Sequence, residues 1–310
     1  MDFIKGVTFA PFAPRGTFEK EEAYDSLDNL VKLTNADFII LVPNGLQDTP
    51  QSESIDFSSC ATLSDEELIK MIRYAKEKHN LRVCLKPTVN CRNGTWRAHI
   101  SFFDEDVICE PKWCNWFCSY TMFQCHYAKI AQQEKCEMFI AGCEMVQSEK
   151  RDAEWRQVIS EIRKVYNGLV SYNTDKYQEH NVSWWDAVDV ISSSGYYPIN
   201  DWENQLDRIE KVVNKFGKPF FFAECGCMSV KNANLVPNDW SVRGDIDQQG
   251  QADWYKTMFD ACDKRPWVKG FCIWDWTWRQ YPIEKAPTHG GYDIYGKMAQ
   301  QVVGEYYGSK

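Results

Sequence analysis

Eight short apolar runs alternate with longer segments of helical periodicity from one end of the chain to the other. The apolar runs predict β-strands at residues 4–9, 37–42, 81–86, 137–143, 168–172, 188–193, 219–223 and 270–274. The segments between them predict helices at residues 18–33, 64–78, 112–133, 149–166, 201–216, 247–264 and 295–307, with a short element near 184–187. Such alternation is typical of a parallel sheet, because each helix carries the chain back to the start of the next strand.

Eight strand–helix units within 310 residues favour closure into a barrel over an open sheet. We therefore predict one α/β domain, a single (β/α)8 TIM barrel over residues 1–310, with longer loops after the second, third and seventh strands. No linker or low-complexity stretch divides the chain. The first strand runs into Ala10-Pro11-Phe12 rather than a glycine-rich turn, which argues against a dinucleotide-binding fold.

The charge of the chain and its first residues limit its partners and location. The net charge is −9 and the isoelectric point is about 5.2, and an acidic surface repels the phosphates of nucleic acid. The sequence has no long basic run for an anionic membrane surface and no apolar stretch of about 20 residues for a membrane span. Residues 1–12 lack the features of a signal peptide. We expect a cytoplasmic protein that binds neither nucleic acid nor membranes.

The cysteines point to free thiols rather than to disulfides or a metal site. There are 13 of them, an odd number scattered along the chain, whereas secreted disulfide scaffolds are short and carry even counts. Several lie in predicted core positions, which fits buried thiols in a reducing compartment. Cys109, Cys114, Cys118 and Cys125 fall in one helical region but lack the C-x2-C pairs of common zinc sites. We therefore predict no metal.

Two glutamates are the strongest catalytic candidates. Function in a TIM barrel lies at the carboxyl ends of the strands, and Glu144 and Glu224 end the fourth and seventh predicted strands. A carboxylate next to an apolar strand is costly unless it is paired or functional. The two strands lie on opposite sides of an eight-strand barrel, so the side chains can face each other across its mouth. A pair of carboxylates about 5–5.5 Å apart suits glycosidic cleavage with retention, one as nucleophile and the other as acid/base.

Aromatic and polar residues at other strand ends are candidates for binding a sugar. Trp274, Trp276 and Trp278 follow a two-residue period that would point them the same way, so they could form either a sugar platform or a core stripe; we favour the platform for Trp274 and include Trp276 with it. Trp96 and Arg97 lie in a polar loop, where tryptophan is more often a lid or a binding residue than core. The remaining candidates for substrate binding, which end the third, fifth and sixth strands, are Lys86, Asn173 and Tyr196.

Several of these segments together resemble clan A glycoside hydrolases, and within that clan the β-1,4-mannanases of glycoside hydrolase family 113. The similar segments are Lys86-Pro87 with Trp96-Arg97, Gly142-Cys143-Glu144, Gly195-Tyr196-Tyr197-Pro198, Phe222-Ala223-Glu224-Cys225-Gly226 and Gly270-Phe271-Cys272-Ile273-Trp274.

The resemblance implies Glu144 as acid/base, Glu224 as nucleophile, Tyr196 as a hydrogen-bond partner of Glu224 and Trp274 as the platform under the reacting sugar. It implies no cofactor and no metal. One position departs from the pattern: much of the clan has Asn before the acid/base, where this chain has Cys143, a poor hydrogen-bond donor.

The sequence therefore predicts a retaining hydrolase of β-1,4-linked manno- or glucomanno-oligosaccharides. Three alternatives stay open at this point. One is another clan A β-glycosidase of the β-glucanase or β-galactosidase type. A second is a sugar-binding barrel without catalysis, and a third is a barrel metalloenzyme.

Overall fold

The computed structural model describes all 310 residues and contains the predicted barrel. Its strands are β1 (Ile4–Phe9), β2 (Phe38–Leu41), β3 (Asn44–Gln47), β4 (Arg82–Leu85), β5 (Thr88–Cys91), β6 (Met138–Cys143), β7 (Leu169–Thr174), β8 (Val190–Ser194), β9 (Phe220–Cys225) and β10 (Val268–Trp276). Its α-helices are α1 (Glu21–Thr34), α2 (Asp65–His79), α3 (Trp113–Gln133), α4 (Asp152–Arg163), α5 (Trp202–Phe216), α6 (Gln248–Cys262) and α7 (Met298–Ser309). Short 3₁₀ helices span Arg97–His99, Trp185–Ala187, Ala233–Leu235 and Ile283–Thr288. None of the helices is both long and apolar enough to cross a lipid bilayer.

Eight parallel strands close into a ring in the order β1-β10-β9-β8-β7-β6-β4-β2. All eight predicted strands and seven predicted helices are therefore confirmed, and the short element near 184–187 is the 3₁₀ helix Trp185–Ala187. The capping box that opens α2 is also present: Ser64 Oγ accepts from the Glu67 amide at 3.2 Å, and Glu67 Oε2 accepts from the Ser64 amide at 3.0 Å.

Two features of the barrel mouth were not predicted. The loops after β2 and β4 were expected to be long, but they also pair with each other, as the two-stranded parallel sheet β3–β5. The connection from β10 to α7 is long as well, and it contains the 3₁₀ helix Ile283–Thr288. Both additions build up the end of the barrel at which the parallel strands finish.

The barrel interior is apolar at one end and polar at the other. A buried cluster of 11 side chains fills the lower interior: Ile4, Phe38, Ile40, Val42, Cys84, Met138, Ile140, Val190, Phe221, Ala223 and Cys272. A larger cluster of 78 buried residues lies between the strands and the surrounding helices. Towards the carboxyl ends of β7 and β8 the interior side chains become Ser171, Asn173, Ser192 and Ser194, all fully buried and hydrogen-bonded.

Register shifts near the carboxyl ends of three strands change which way the later side chains point. Between β8 and β9, Ser193 pairs with Phe222 but Ser194 pairs with Glu224, so one residue is inserted in β9. The pairing of β6 with β7 shifts in the same way between Ile140 and Cys143. An inserted residue reverses the alternation of all side chains that follow it. Glu224 and Cys143 are thereby turned into the barrel mouth.

A third register shift, in the pairing of β1 with β10, explains why the prediction that Trp276 binds substrate is wrong. Val7 pairs with Ile273, whereas Phe9 pairs with Trp276, so β10 carries an extra residue between them. Because of this insertion Trp274 and Trp276 do not point the same way. The Trp276 ring is fully buried between the barrel and α1, and its Nε1 donates to the Ser26 carbonyl at 3.1 Å. Trp276 is a core residue.

A buried carboxyl group lies behind the loop that follows β6. Glu149 Oε1 accepts hydrogen bonds from Tyr172 Oη at 2.7 Å and Thr174 Oγ1 at 2.8 Å, while Oε2 has no partner. Tyr172 Oη in turn accepts from the Met145 amide at 3.1 Å, next to Glu144. Burial raises the pKa of Glu149 to about 8, against the lowering effect of these two hydrogen bonds. The group is therefore protonated in the folded protein near neutral pH.

Glu149→Gln should stabilise the protein more at pH 8 than at pH 5. Because the pKa of Glu149 is higher in the folded than in the unfolded chain, the unfolded chain binds fewer protons between the two values, and the free energy of unfolding falls as pH rises. Glutamine keeps the acceptor for Tyr172 and Thr174 but carries no charge, so this loss disappears. Thermal unfolding at several pH values measures the difference, with the exposed Glu305→Gln as control. A difference between variant and wild type that is the same at all pH values would contradict this assignment.

Candidate active site

A cavity of about 590 Å³ opens at the carboxyl ends of the barrel strands. Its wall combines carboxylates, cations, amides and aromatic rings, and consists of Phe12, Asn90, Cys91, Gly94, Thr95, Trp96, Arg97, Glu144, Asp175, Lys176, Tyr196, Glu224, Asn238, Trp240 and Trp274. Both predicted catalytic glutamates are in this wall. They come from β9 and from the residue directly after β6.

Glu224 lies at the floor of the cavity and is only 4% exposed. Its Oε1 pairs with the buried Lys86 ammonium and lies 3.3 Å from Cys143 Sγ, and its Oε2 accepts a hydrogen bond from Tyr196 Oη at 3.0 Å. The contact with Tyr196 is the one that the family resemblance implies. Burial and the neighbouring Glu224 carboxylate raise the pKa of the Tyr196 phenol, so Tyr196 stays protonated and donates.

The charges around Glu224 favour its ionised form. Burial by itself raises the pKa of this carboxyl group, but the Lys86 ammonium and the Arg97 guanidinium outweigh burial, and the pKa is lowered. A carboxylate that stays ionised is available to act as a nucleophile.

Glu144 is held by a different set of partners. Its Oε2 accepts from Trp96 Nε1 at 3.1 Å and lies 3.9 Å from Arg97 Nη1, and its Oε1 accepts from Ser194 Oγ at 2.8 Å. Its backbone has φ of +52°, in the left-handed region that non-glycine residues seldom adopt outside functional or turn positions. Glu144 directly follows β6, shortly after the inserted residue of that strand, and its carboxyl group lines the cavity.

Three aromatic side chains form one side of the cavity. Trp274 is almost fully buried, and Phe12 and Trp240 pack their edges against it with ring centroids 5.8 and 6.3 Å away. Phe12 and Trp240 are themselves 60% and 52% exposed. Large aromatic surfaces in contact with water are typical of binding sites, and their faces suit the apolar faces of sugar rings.

An acidic and a basic residue flank the Glu144 side of the cavity. Asp175 follows β7, is 6% exposed, and lies 3.3 Å from the Lys176 ammonium. Burial, together with the charge of Glu144, raises the pKa of Asp175 to about 7. The Lys176 ammonium also lies 5.8 Å from the Trp96 ring centroid. These side chains offer donors and acceptors to sugar hydroxyl groups next to the acid/base candidate.

The predicted substrate-binding residues lie in three places in the structure. Trp96, Arg97, Tyr196 and Trp274 line the cavity. Lys86 and Asn173 are fully buried and are not part of the cavity wall: Lys86 contacts Glu224, and Asn173 contacts Lys86 and Ser194. Trp276 lies in the core. The hydrogen bond from Trp96 Nε1 places the Trp96 ring directly beside the Glu144 carboxyl group.

Sequence reasoning missed several residues of the cavity wall, namely Phe12, Asn90, Cys91, Asp175, Lys176, Asn238 and Trp240. For two of them a signal was present. Asp175 lies three residues after the end of a predicted strand, and Trp240 lies in a polar loop, as Trp96 does. Asn90 belongs to β5, which is part of the unpredicted small sheet, and no local pattern distinguishes Asn238.

No group of three or more His, Cys, Asp or Glu side chains is arranged to hold a metal ion. All 13 cysteines are free, and those of the α3 region are Cys109, Cys114 and Cys118, which are exposed, and Cys125, which is half-buried.

Comparisons with known proteins found matches over nearly the whole chain. The family model described as Glycoside Hydrolase Family 113 matches residues 7–297. A structure of a GH113 β-1,4-mannanase is 52% identical over 100% of both chains with a TM-score of 0.98. A GH113 β-mannanase from Alicyclobacillus acidocaldarius is 40% identical over 100% of this chain and 98% of that one, with a TM-score of 0.96.

More distant structures share the fold alone. A β-D-glucuronidase from Dictyoglomus thermophilum is 14% identical over 100% of this chain and 51% of that chain, with a TM-score of 0.66. A search of curated proteins gave no match. The family model covers nearly the whole chain, and two structures of its members align with it from end to end, so this chain belongs to glycoside hydrolase family 113.

Proposed function

We propose that this protein is a retaining glycoside hydrolase that cleaves β-1,4-mannosidic bonds in manno- or glucomanno-oligosaccharides. The observation that carries the proposal is the pair Glu144 and Glu224 in one cavity, each held by a different set of hydrogen-bond partners. Family membership supports it, since the two most similar structures described above are of β-1,4-mannanase and β-mannanase.

Glu224 is the nucleophile in this proposal. Its ionised carboxylate attacks the anomeric carbon from the face opposite the glycosidic oxygen, and the bond to the leaving sugar breaks as the bond to Glu224 forms. Lys86 and Arg97 favour the ionised form before attack. Tyr196 fixes the orientation of the carboxylate through its hydrogen bond to Oε2.

Glu144 is the acid/base. It donates a proton to the leaving oxygen in the first step, and in the second step it takes a proton from the water that attacks the anomeric carbon and releases Glu224. Ser194 and Trp96 hold one oxygen each, so the carboxyl group keeps a fixed position through both steps. Two successive inversions at the same carbon give a product of retained configuration.

The aromatic wall provides the sugar-binding surface. Trp274 lies beside Glu224 in the cavity and serves as platform for the reacting sugar, and the exposed faces of Phe12 and Trp240 extend this surface. Apolar sugar faces stack on such rings while the hydroxyl groups at their edges bind polar side chains.

We also propose that the enzyme works in the cytoplasm on short oligosaccharides. The 13 free cysteines support this proposal. Seven of them are deeply buried, in or near elements of the core: Cys84, Cys136, Cys143, Cys225, Cys227, Cys262 and Cys272. A reducing compartment keeps such thiols unpaired. A polymer of mannose cannot enter a cell, so a cytoplasmic enzyme would receive imported oligosaccharides.

Glu224→Ala should abolish turnover of an activated aryl β-mannoside, and added azide should restore it with formation of α-mannosyl azide. The small anion occupies the space of the missing carboxylate and attacks from the same face, so the product has inverted configuration. Product analysis by NMR checks this outcome. The surface variant Glu203→Ala is the matched control and should keep its activity without forming the azide product. Near-native hydrolysis by Glu224→Ala would remove Glu224 from the nucleophile role.

Glu144→Ala should slow hydrolysis of manno-oligosaccharides by about 10²–10⁴, the usual range for general acid–base catalysis. The loss in kcat/KM should be much smaller with a dinitrophenyl β-mannoside, because dinitrophenolate leaves without a proton. Steady-state kinetics on both substrates, with the wild type in parallel, measure the two losses. Equal losses on the two substrates would show that Glu144 is not the proton donor.

The preference for short substrates can be measured on a series of purified manno-oligosaccharides. A cavity of this kind draws its transition-state stabilisation from the positions next to the cleaved bond, so kcat/KM should level off by roughly four to six sugars. Thiol titration of the denatured protein, without reductant, should find all 13 cysteines. A steady rise of kcat/KM up to polymeric mannan, or thiols locked in disulfides in protein taken from its own cells, would contradict the cytoplasmic proposal.

A further inference from the structure

Lys86 lies directly beneath the Glu224 carboxylate and is shielded from solvent. It follows β4, and its side chain is 1% exposed. Its ammonium pairs with Glu224 Oε1 and lies 3.5 Å from Asn173 Oδ1. The ammonium is also 5.5 Å from the centre of the Trp274 ring. Lys86 is absent from the cavity wall, so its contacts are with the residues that act on the sugar and not with the sugar.

Burial of the Lys86 ammonium group is energetically unfavourable unless its charge has a function. Removing an ammonium group and a carboxylate from water has a large desolvation cost, and a buried ion pair is often no more stable than a well-packed apolar pair of the same volume. Protein stability therefore does not explain why a lysine stands at this barrel position. Buried charges with a specific partner in a cleft are characteristic of functional sites.

The other neighbours of Glu224 do not replace the positive charge that Lys86 places in direct contact with its carboxylate. The residue before the acid/base is Cys143, whose thiol lies 3.3 Å from Glu224 Oε1 but is a weak hydrogen-bond donor. The other oxygen has the neutral phenol of Tyr196. Arg97 acts on Glu224 through its charge, but its own nearest contacts are Cys143 and Glu144, at 3.8 and 3.9 Å. Lys86 is thus the cation in direct contact with the nucleophile candidate.

We propose that Lys86 is a positioning residue that keeps Glu224 ionised before attack and stabilises it again when the sugar leaves. The inference rests on the proposed role of Glu224 as nucleophile. In the first step the Glu224 carboxylate forms a bond to the anomeric carbon, the glycosidic bond breaks, and the proton of Glu144 passes to the leaving oxygen. In the second step water attacks, its proton passes to Glu144, and the electron pair of the breaking ester bond returns to Glu224. Lys86 supplies the positive charge that pairs with the Glu224 carboxylate before the first step and again after the second step.

Other titratable and charged groups face Glu224 from the surrounding strands, and they set the background for any pH experiment. They are Arg97, Cys143, Glu144, Tyr196, Cys225, Cys272 and Asp275. The thiols and the phenol have a pKa raised by burial, so they remain neutral in the working range. Burial and Asp293 raise the pKa of Asp275 to about 7, and this group is unchanged in all the variants below.

Lys86→Met tests the proposal through the pH dependence of kcat/KM. Methionine fills a similar volume but carries no charge, so Glu224 should take up a proton more readily. The acid limb of the profile should therefore shift to higher pH by at least about one pH unit. Lys86→Arg keeps a positive charge and should keep the acid limb close to that of the wild type. Lys264→Met is the control: it removes an exposed cation that pairs with Glu203 and is not part of the cavity wall, and it should leave the acid limb in place.

Thermal unfolding distinguishes this role from simple packing if Lys86→Met proves unstable. An unpaired buried carboxylate would be the cause, so adding Glu224→Gln should recover most of the lost Tm. A double variant as unstable as Lys86→Met, or an acid limb that stays in place in a folded Lys86→Met, would overturn the proposal. The azide experiment on Glu224→Ala decides the nucleophile separately, so a failure of the Lys86 role and a failure of the proposed function can be told apart.

Discussion

The hydrogen bonds between neighbouring strands of the closed ring determine where every functional side chain lies. Each strand of a parallel barrel ends at the same face, and this face carries Glu144 and Glu224 on strands three places apart in the ring. The strands are not regular to their ends: the pairings of β6 and β9 each contain one inserted residue shortly before the glutamate. Because an insertion reverses the side-chain alternation, these irregularities are what bring a polar residue inward after an apolar one.

The site built at this face contains four buried or nearly buried ionisable side chains. The Glu224 carboxyl group lies within 4 Å of the Lys86 ammonium, and the Glu144 carboxyl group lies within 4 Å of the Arg97 guanidinium. The two carboxylates are not equivalent in this arrangement. Of the two carboxyl groups, Lys86 contacts that of Glu224, whereas Glu144 receives neutral donors from Ser194 and Trp96. Different surroundings for two carboxyl groups are what a division into nucleophile and acid/base requires.

The sequence contains enough information to predict the barrel and the two glutamates, because apolar runs, helical periods and a carboxylate at a strand end are all local patterns. It does not contain a visible signal for the inserted residues, since a bulge depends on the register of two strands that are distant in sequence. This is why Trp276, predicted at the platform by two-residue alternation, lies in the core against Ser26 instead. The same limit applies to Lys86: its type and place at a strand end were visible, but its partner Glu224 lies 138 residues away along the chain.

The change from an apolar to a polar interior along the barrel axis explains how one domain supplies both stability and a charged site. The lower interior is filled by aliphatic, aromatic and thiol side chains that need no partners. Above it, Ser171, Ser192 and Ser194 bond to one another, to backbone carbonyls and to Glu144, so that no polar group in this layer depends on bulk water. This layer holds Glu144 through Ser194 without adding charge of its own. The exposed rings of Phe12 and Trp240 line the cavity above it, where a bound sugar can cover the apolar surface that they show to solvent.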